Sequence, residues 1–106
     1  MSTVRKLNES ALRGIYDAYM HEAFPPAELK PLAVMLRLME RGRYLCYGYY
    51  RNGRLAAYAF FYRHDSRVLL LDYFAVTPEL RGRGVGSAFL AALDAVLGGV
   101  CILGEV

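Results

Sequence analysis

The chain has 106 residues, the size of one domain with a single core, and is 56% hydrophobic with nine Tyr and five Phe, which excludes a disordered chain. Its net charge is +3, and the basic residues are scattered apart from Arg81 and Arg83, so the stripe expected of a nucleic-acid partner is missing. Cys46 and Cys101 lie far apart in apolar runs without a CxxC pair or Cys/His cluster, so buried free thiols and no metal site are expected. The first residues, MSTVRKLNES, hold no signal-type apolar core. The longest apolar run, Leu55 to Tyr62, is far short of the ~20 residues of a membrane span. A cytoplasmic protein with no membrane partner is expected.

Residues Thr3 to Leu7 alternate weakly and predict a short first strand. Asn8 or Ser10 then caps a helix carrying Leu12, Ile15, Tyr16, Tyr19 and Met20 at helical spacing through about Ala23. Pro25-Pro26 ends it. A second helix is predicted from about Ala27, with Pro31 in its first turn, an apolar stripe of Leu32, Met35, Leu36 and Met39, and Gly42 just past its end. Asn52-Gly53 between Tyr44–Tyr50 and Leu55–Tyr62 predicts a hairpin, because a type I′ turn needs positive φ at both central residues. A looser turn at His64-Asp65-Ser66 leads to a fourth strand, Val68 to Val76. A third helix follows from about Gly84 to Leu97, stopped by Gly98-Gly99, and Val100 to Val106 reads as a last strand. The fold class is α+β: an antiparallel meander followed by a βαβ unit, in the order β-α-α-β-β-β-α-β, in one domain over residues 1–106.

Between the fourth strand and the third helix, Gly82, Gly84 and Gly86 alternate with Arg83 and Val85, after Arg81. A glycine turn at a helix N-terminus aims backbone N–H groups at one point, where the helix dipole favours an anion. The same glycines could serve close packing, and the arginines could be solvated charges. The turn is not a P-loop, since no Lys follows a glycine, and Gly82-Arg83-Gly84 is followed by Gly86 one residue too early for GxGxxG. The spacing that fits is Arg/Gln-x-x-Gly-x-Gly/Ala, here Arg81-Gly82-Arg83-Gly84-Val85-Gly86.

With the preceding Phe74-Ala75-Val76-Thr77-Pro78-Glu79-Leu80, this motif resembles the GNAT superfamily of N-acetyltransferases, and the element order is similar through the fifth strand. The resemblance implies acetyl-CoA as cosubstrate and a primary amine, on a small molecule, a protein N-terminus or a lysine, as acceptor. It implies that the pyrophosphate is held by the backbone of Arg81, Gly82, Arg83, Gly84, Val85 and Gly86, with Ser87 near the helix start. It also implies that the pantetheine arm pairs with Phe74, Ala75 and Val76 as an added strand would.

Transfer to an amine needs a base and a donor to the thioester carbonyl. Glu105, in Ile102-Leu103-Gly104-Glu105-Val106, is the first candidate base, by similarity to a Leu-x-Glu-Val strand of family members that acetylate protein N-termini. Asp72 is the second, set against a structural or solvated carboxylate. Asp72 and Tyr73 are adjacent on one strand and so are expected on opposite faces. Tyr73 and Glu22 are candidates to contact the acceptor, although Tyr73 also suits a core position and Glu22 a solvated helix end. The resemblance further implies a C-terminal helix and two strands after the fifth, so the fold is expected to be C-terminally incomplete. The strand edge this leaves would suit a homodimer. A non-catalytic CoA-binding or assembly module is the alternative function, and an unrelated phosphate-binding protein the third.

Overall fold

The computed structural model describes residues 1–104. Its centre is one five-stranded sheet in the order β1-β2-β3-β4-β5, formed by β1 (Ser2–Lys6), β2 (Tyr44–Arg51), β3 (Arg54–Arg63), β4 (Val68–Val76) and β5 (Cys101–Gly104). The first four strands pair antiparallel, and β5 joins β4 in parallel. The expected α+β order is the one observed.

Asn8 is the cap of α1 (Glu9–Ile15), its side chain accepting from the Ala11 N–H at 2.9 Å. The helix continues without a break through a π-helical segment, Tyr16–Met20, and a last turn, His21–Ala23. The second helix, α2, spans Leu32–Glu40 and so begins later than expected, with Pro31 as its N-cap. Proline bars the residue before it from helical geometry, so Lys30 cannot belong to the helix. A turn at residues 26–28 and the two residues after it instead cross toward β4. At the other end Gly42 takes φ +72°, its N–H bonds the Met39 carbonyl, and Arg43 N–H bonds that of Leu38. This is the glycine-terminated helix end expected of a left-handed C′ residue.

The hairpin forms as predicted. Asn52 and Gly53 have φ of 51° and 79°, and Arg51 faces Arg54 across the turn. The third helix, α3, spans Val85–Val96.

Length alone suggests one core, but the apolar side chains divide into two clusters on opposite faces of the sheet. Beneath α3 lie Leu45, Tyr47, Tyr49, Phe61, Leu69, Phe89 and Leu93. Beneath α1 and α2 lie Leu12, Met20, Met35, Tyr44, Tyr58, Phe60 and Tyr73. The hairpin tyrosines therefore mostly fill both cores and do not make an exposed aromatic face. Cys46 is buried as expected, whereas Cys101 is exposed, because it lies on the outermost strand. No described helix is long and apolar enough to cross a membrane.

Replacing Gly53 by Ala forces a side chain into positive φ at the hairpin. Urea unfolding should show a loss of about 1 kcal/mol with an unchanged denaturant slope.

Candidate functional site

The site is built on β4. Its ladder with β3 pairs Phe60 with Tyr73 and Phe61 with Leu71, so Asp72 is an extra residue with no partner: a β-bulge. The bulge breaks the alternation of side chains. Leu71 and Phe74 pack beneath α3, whereas Tyr73 packs beneath α1 and α2. Asp72 faces the same side as Tyr73, where its Oδ2 accepts from Lys30 Nζ at 2.9 Å and from the Tyr44 hydroxyl. The expectation that Asp72 and Tyr73 point to opposite faces is therefore wrong, and the inserted residue is the reason.

Tyr73 is fastened in the same region. Its hydroxyl donates to the Glu28 carbonyl and accepts from the Lys30 N–H, both at 2.7 Å, and Tyr16 donates to the Lys30 carbonyl at 2.9 Å. These bonds hold the 28–30 segment against β4. The Tyr73 hydroxyl thus serves the scaffold, and the residue borders the cleft described next.

Among the described residues, β5 pairs with β4 from Val68 to Leu71, and none pairs with the side of β4 away from β3 from Asp72 to Val76. A cleft of about 600 Å³ lies there, bordered by Phe24, Asp72, Tyr73, Phe74, Leu103 and Gly104. The Thr77 N–H bonds the Ala56 carbonyl of the β3 side. Alternation then turns the N–H and C=O of Phe74 and Val76 away from β3, into the open side. The Val76 carbonyl does accept from the outward Arg81 Nε, at 3.4 Å.

The glycine turn closes the far end of β4. Gly82 and Gly84 have φ of 78° and 74°, a conformation that only glycine adopts without strain. Gly84 is the N-cap of α3 and supplies no side-chain cap. Among the described residues, no backbone N–H from Gly82 to Ser87 donates to a backbone carbonyl. Successive N–H groups in such a turn, at the start of a twelve-residue helix, form an anion-binding concavity. Gly86 differs from its neighbours: a Cβ there would meet Val76 and Phe74 side chains at 3.6 and 3.7 Å, an ordinary contact. Arg81, Arg83 and Ser87 are exposed around the turn.

Residues 10–101 match the model of the acetyltransferase (GNAT) family. The chain belongs to the GNAT acetyltransferase family. Its structure is similar to the ribosomal-protein-S18-alanine N-acetyltransferase from Escherichia coli, with TM-score 0.74 and 26% identity, over 100% of this chain and 67% of that one. A GNAT-family acetyltransferase from Bacteroides thetaiotaomicron gives TM-score 0.83 at 20% identity, over 98% of this chain and 60% of that one. The fold is also that of AAC(6')-Iy in complex with a bisubstrate analog, CoA-S-monomethyl-acetylneamine, at TM-score 0.64 and 21% identity, over 100% of this chain and 80% of that one. The chain thus spans 67% and 60% of the length of the first two neighbours. A search of curated proteins finds no match.

Proteins of the GNAT family use acetyl-CoA. No group of three or more metal-ligating side chains occurs among the described residues. Of the residues singled out in the sequence, Phe74, Ala75, Val76 and Arg81 to Ser87 form one continuous stretch at the open end of β4. Asp72 stands at the near end of the cleft, and Glu105 lies outside the described residues. Glu22 is on a separate cavity, beside Tyr58 and Arg81. Sequence reasoning missed Lys30 and Tyr44. The only hint of Lys30 is its place before Pro31, which excludes it from the helix, and nothing separates Tyr44 from the other strand tyrosines.

Burial holds the acidity of several GNAT core groups down. It is the main cause for Tyr44, with the Asp72 hydrogen bond and charge next, and for Cys46, with the Asp72 charge next. Tyr58 is pushed up to about 12, again mainly by burial, with Arg81 opposing. Each of these groups is favoured in its neutral form by folding. Their contribution is complete below the ordinary values of 9.0 for Cys and 10.0 for Tyr, and it fades as pH rises past them. Stability measured by urea unfolding should be level up to about pH 9 and then fall, by as much as ~1.4 kcal/mol per pH unit for each group. The Tyr44→Phe variant should fall less steeply.

Proposed function

We propose that this chain binds acetyl-CoA along the open half of β4 and transfers its acetyl group to a primary amine, on a small molecule, a protein N-terminus or a lysine. The observation that carries the reading is the glycine turn at the start of α3, whose N–H groups donate to no backbone carbonyl among the described residues, in line with the end of β4. Acetyl-CoA supplies the activated carbonyl and the thiolate leaving group.

The chain's own residues supply the rest. The backbone of Arg81 to Gly86 holds the pyrophosphate, helped by the positive end of α3 and by the exposed Arg81 and Arg83. Phe74 and Val76 offer main-chain donors and acceptors to the amide-bearing arm. The Phe74 N–H is the donor for the reacting carbonyl. A carboxylate takes the proton from the acceptor amine, and the two candidates are Glu105 and Asp72. Asp72 Oδ2 is engaged by Lys30 and Tyr44, while its Oδ1 accepts no hydrogen bond among the described residues. That oxygen is available to draw an ammonium to the cleft.

Isothermal titration with acetyl-CoA should show binding, and no binding at about 1 mM ligand would remove the reading. Release of free thiol in the presence of an amine panel should then reveal turnover. Binding without turnover of any amine would favour the non-catalytic module.

Two variants divide the roles. Gly84→Ala, which strains the turn, should weaken acetyl-CoA binding about tenfold or more. Asp72→Asn should lower turnover about 100-fold if Asp72 is the base, with acetyl-CoA affinity changed less than about threefold. Unchanged turnover in Asp72→Asn would leave the proton to Glu105.

A further inference from the structure

Basic charge in this chain is carried almost entirely by arginine, and lysine occurs only at Lys6 and Lys30. Guanidinium groups stay protonated, so these two lysines are the only side-chain amines that could take an acetyl group. Lys6 is exposed at the end of β1. Lys30 is placed quite differently. Its Nζ lies 2.9 Å from Asp72 Oδ2 and 5.9 Å from the centre of the Tyr44 ring. Its backbone is pinned at both ends, the N–H by the Tyr73 hydroxyl and the carbonyl by that of Tyr16. Only the flexible four-carbon stem is left to move. The side chain keeps 30% of its surface exposed, so the amine is not sealed in.

An ion pair at this exposure adds little stability. Its geometry is that of an amine held against a carboxylate able to take its proton. Asp72 also borders the cleft. Phe74, whose N–H is the donor for the reacting carbonyl, is two residue steps, about 7 Å, further along β4. Rotation of the Lys30 stem about its pinned backbone shortens that gap.

We propose that the chain acetylates itself at Lys30, an inference that rests on acetyl-CoA lying along β4 as its acetyl donor. Asp72 Oδ2 takes one proton from the Lys30 ammonium and passes it to water. The neutral Nζ then attacks the thioester carbonyl carbon. An N–C bond forms, the C–S bond breaks, and the second proton shed by the nitrogen goes to the departing thiolate. The products are acetylated Lys30, CoA and one proton. An amide does not hand its acetyl group on, so Lys30 is an end point and not a relay. The charge beside Asp72 is lost, and the carboxylate keeps the Tyr44 hydroxyl as its partner.

The test incubates the whole chain with acetyl-CoA and no added amine, and follows both lysines by mass spectrometry of peptides. Lys30 should be acetylated about tenfold or more faster than Lys6, the exposed control in the same molecule. The rate per chain should not change with protein concentration, as expected of a reaction within one molecule. In the urea-unfolded chain the two lysines should react alike. Asp72→Asn should slow acetylation of Lys30 about 100-fold and leave that of Lys6 unchanged. The wild-type comparisons stand whether or not that variant folds. Equal rates at Lys6 and Lys30, a Lys30 rate that climbs with protein concentration, or undiminished acetylation of Lys30 in folded Asp72→Asn would each overturn the proposal. Calorimetric binding of acetyl-CoA and thiol release with external amines are measured in parallel. If both occur while Lys30 stays unmodified, self-acetylation falls and the acetyltransferase reading stands. If acetyl-CoA does not bind, both fall.

Discussion

One extra residue in β4 sets the geometry of the whole site. A regular strand would send Asp72 and Tyr73 to opposite faces and keep Phe74 in phase with Asp72. Because Asp72 has no partner on β3, the strand changes phase there. Two polar side chains then reach the same face and meet the 28–30 segment, while Phe74 and Val76 turn to α3. The bulge gives up local ladder pairing. The compensation is specific: Tyr73 makes two hydrogen bonds to backbone of that segment, and Asp72 takes a cation and a phenol. Each such bond contributes about 1 kcal/mol net, so together they exceed what one missing ladder bond loses.

The Lys30–Asp72 pair is better read as positioning than as stabilisation. Both side chains keep 27–30% of their surface in water, where an ion pair adds about 0–1 kcal/mol. The tyrosines matter more. Tyr16 and Tyr73 bond the backbone of the 28–30 segment from two sides, and those main-chain groups would otherwise be unpaired. The Tyr44 hydroxyl, buried and kept neutral, fixes one carboxylate oxygen of Asp72. The remaining oxygen faces a defined place, which a mobile surface carboxylate could not guarantee.

What the sequence revealed and what it hid follows from the range of the forces involved. Asn52-Gly53, the Asn8 cap and Gly42 act through their own backbone or a neighbour within one turn, and all three appear where the residue types require. The glycine turn is equally local. The start of α2 is legible too, because a proline disfavours helix at the residue before it and so leaves Lys30 outside. The bulge was not legible. It exists only in the registry of β4 against β3, and no residue type at Asp72 announces it. Lys30 meets Asp72 across 42 positions of sequence. The two cores were hidden because both faces of β2 and β3 are apolar, so their alternation carries no signal.

The layout along β4 also separates charges. The free N–H groups of the glycine turn and the positive end of α3 stand at one end of its open half, and the carboxylate of Asp72 stands at the other. Four residue steps along the strand, from Asp72 to Val76, span about 13 Å. That exceeds the ~8 Å over which exposed charges act in physiological salt. An anion-binding end and an ammonium-attracting end can therefore coexist without cancelling each other. A ligand with phosphates at one end and an uncharged reacting group at the other would be drawn in by the turn and would lay its neutral arm toward Asp72. The carboxylate would then repel the reversed orientation, so one strand edge selects both the ligand and its direction.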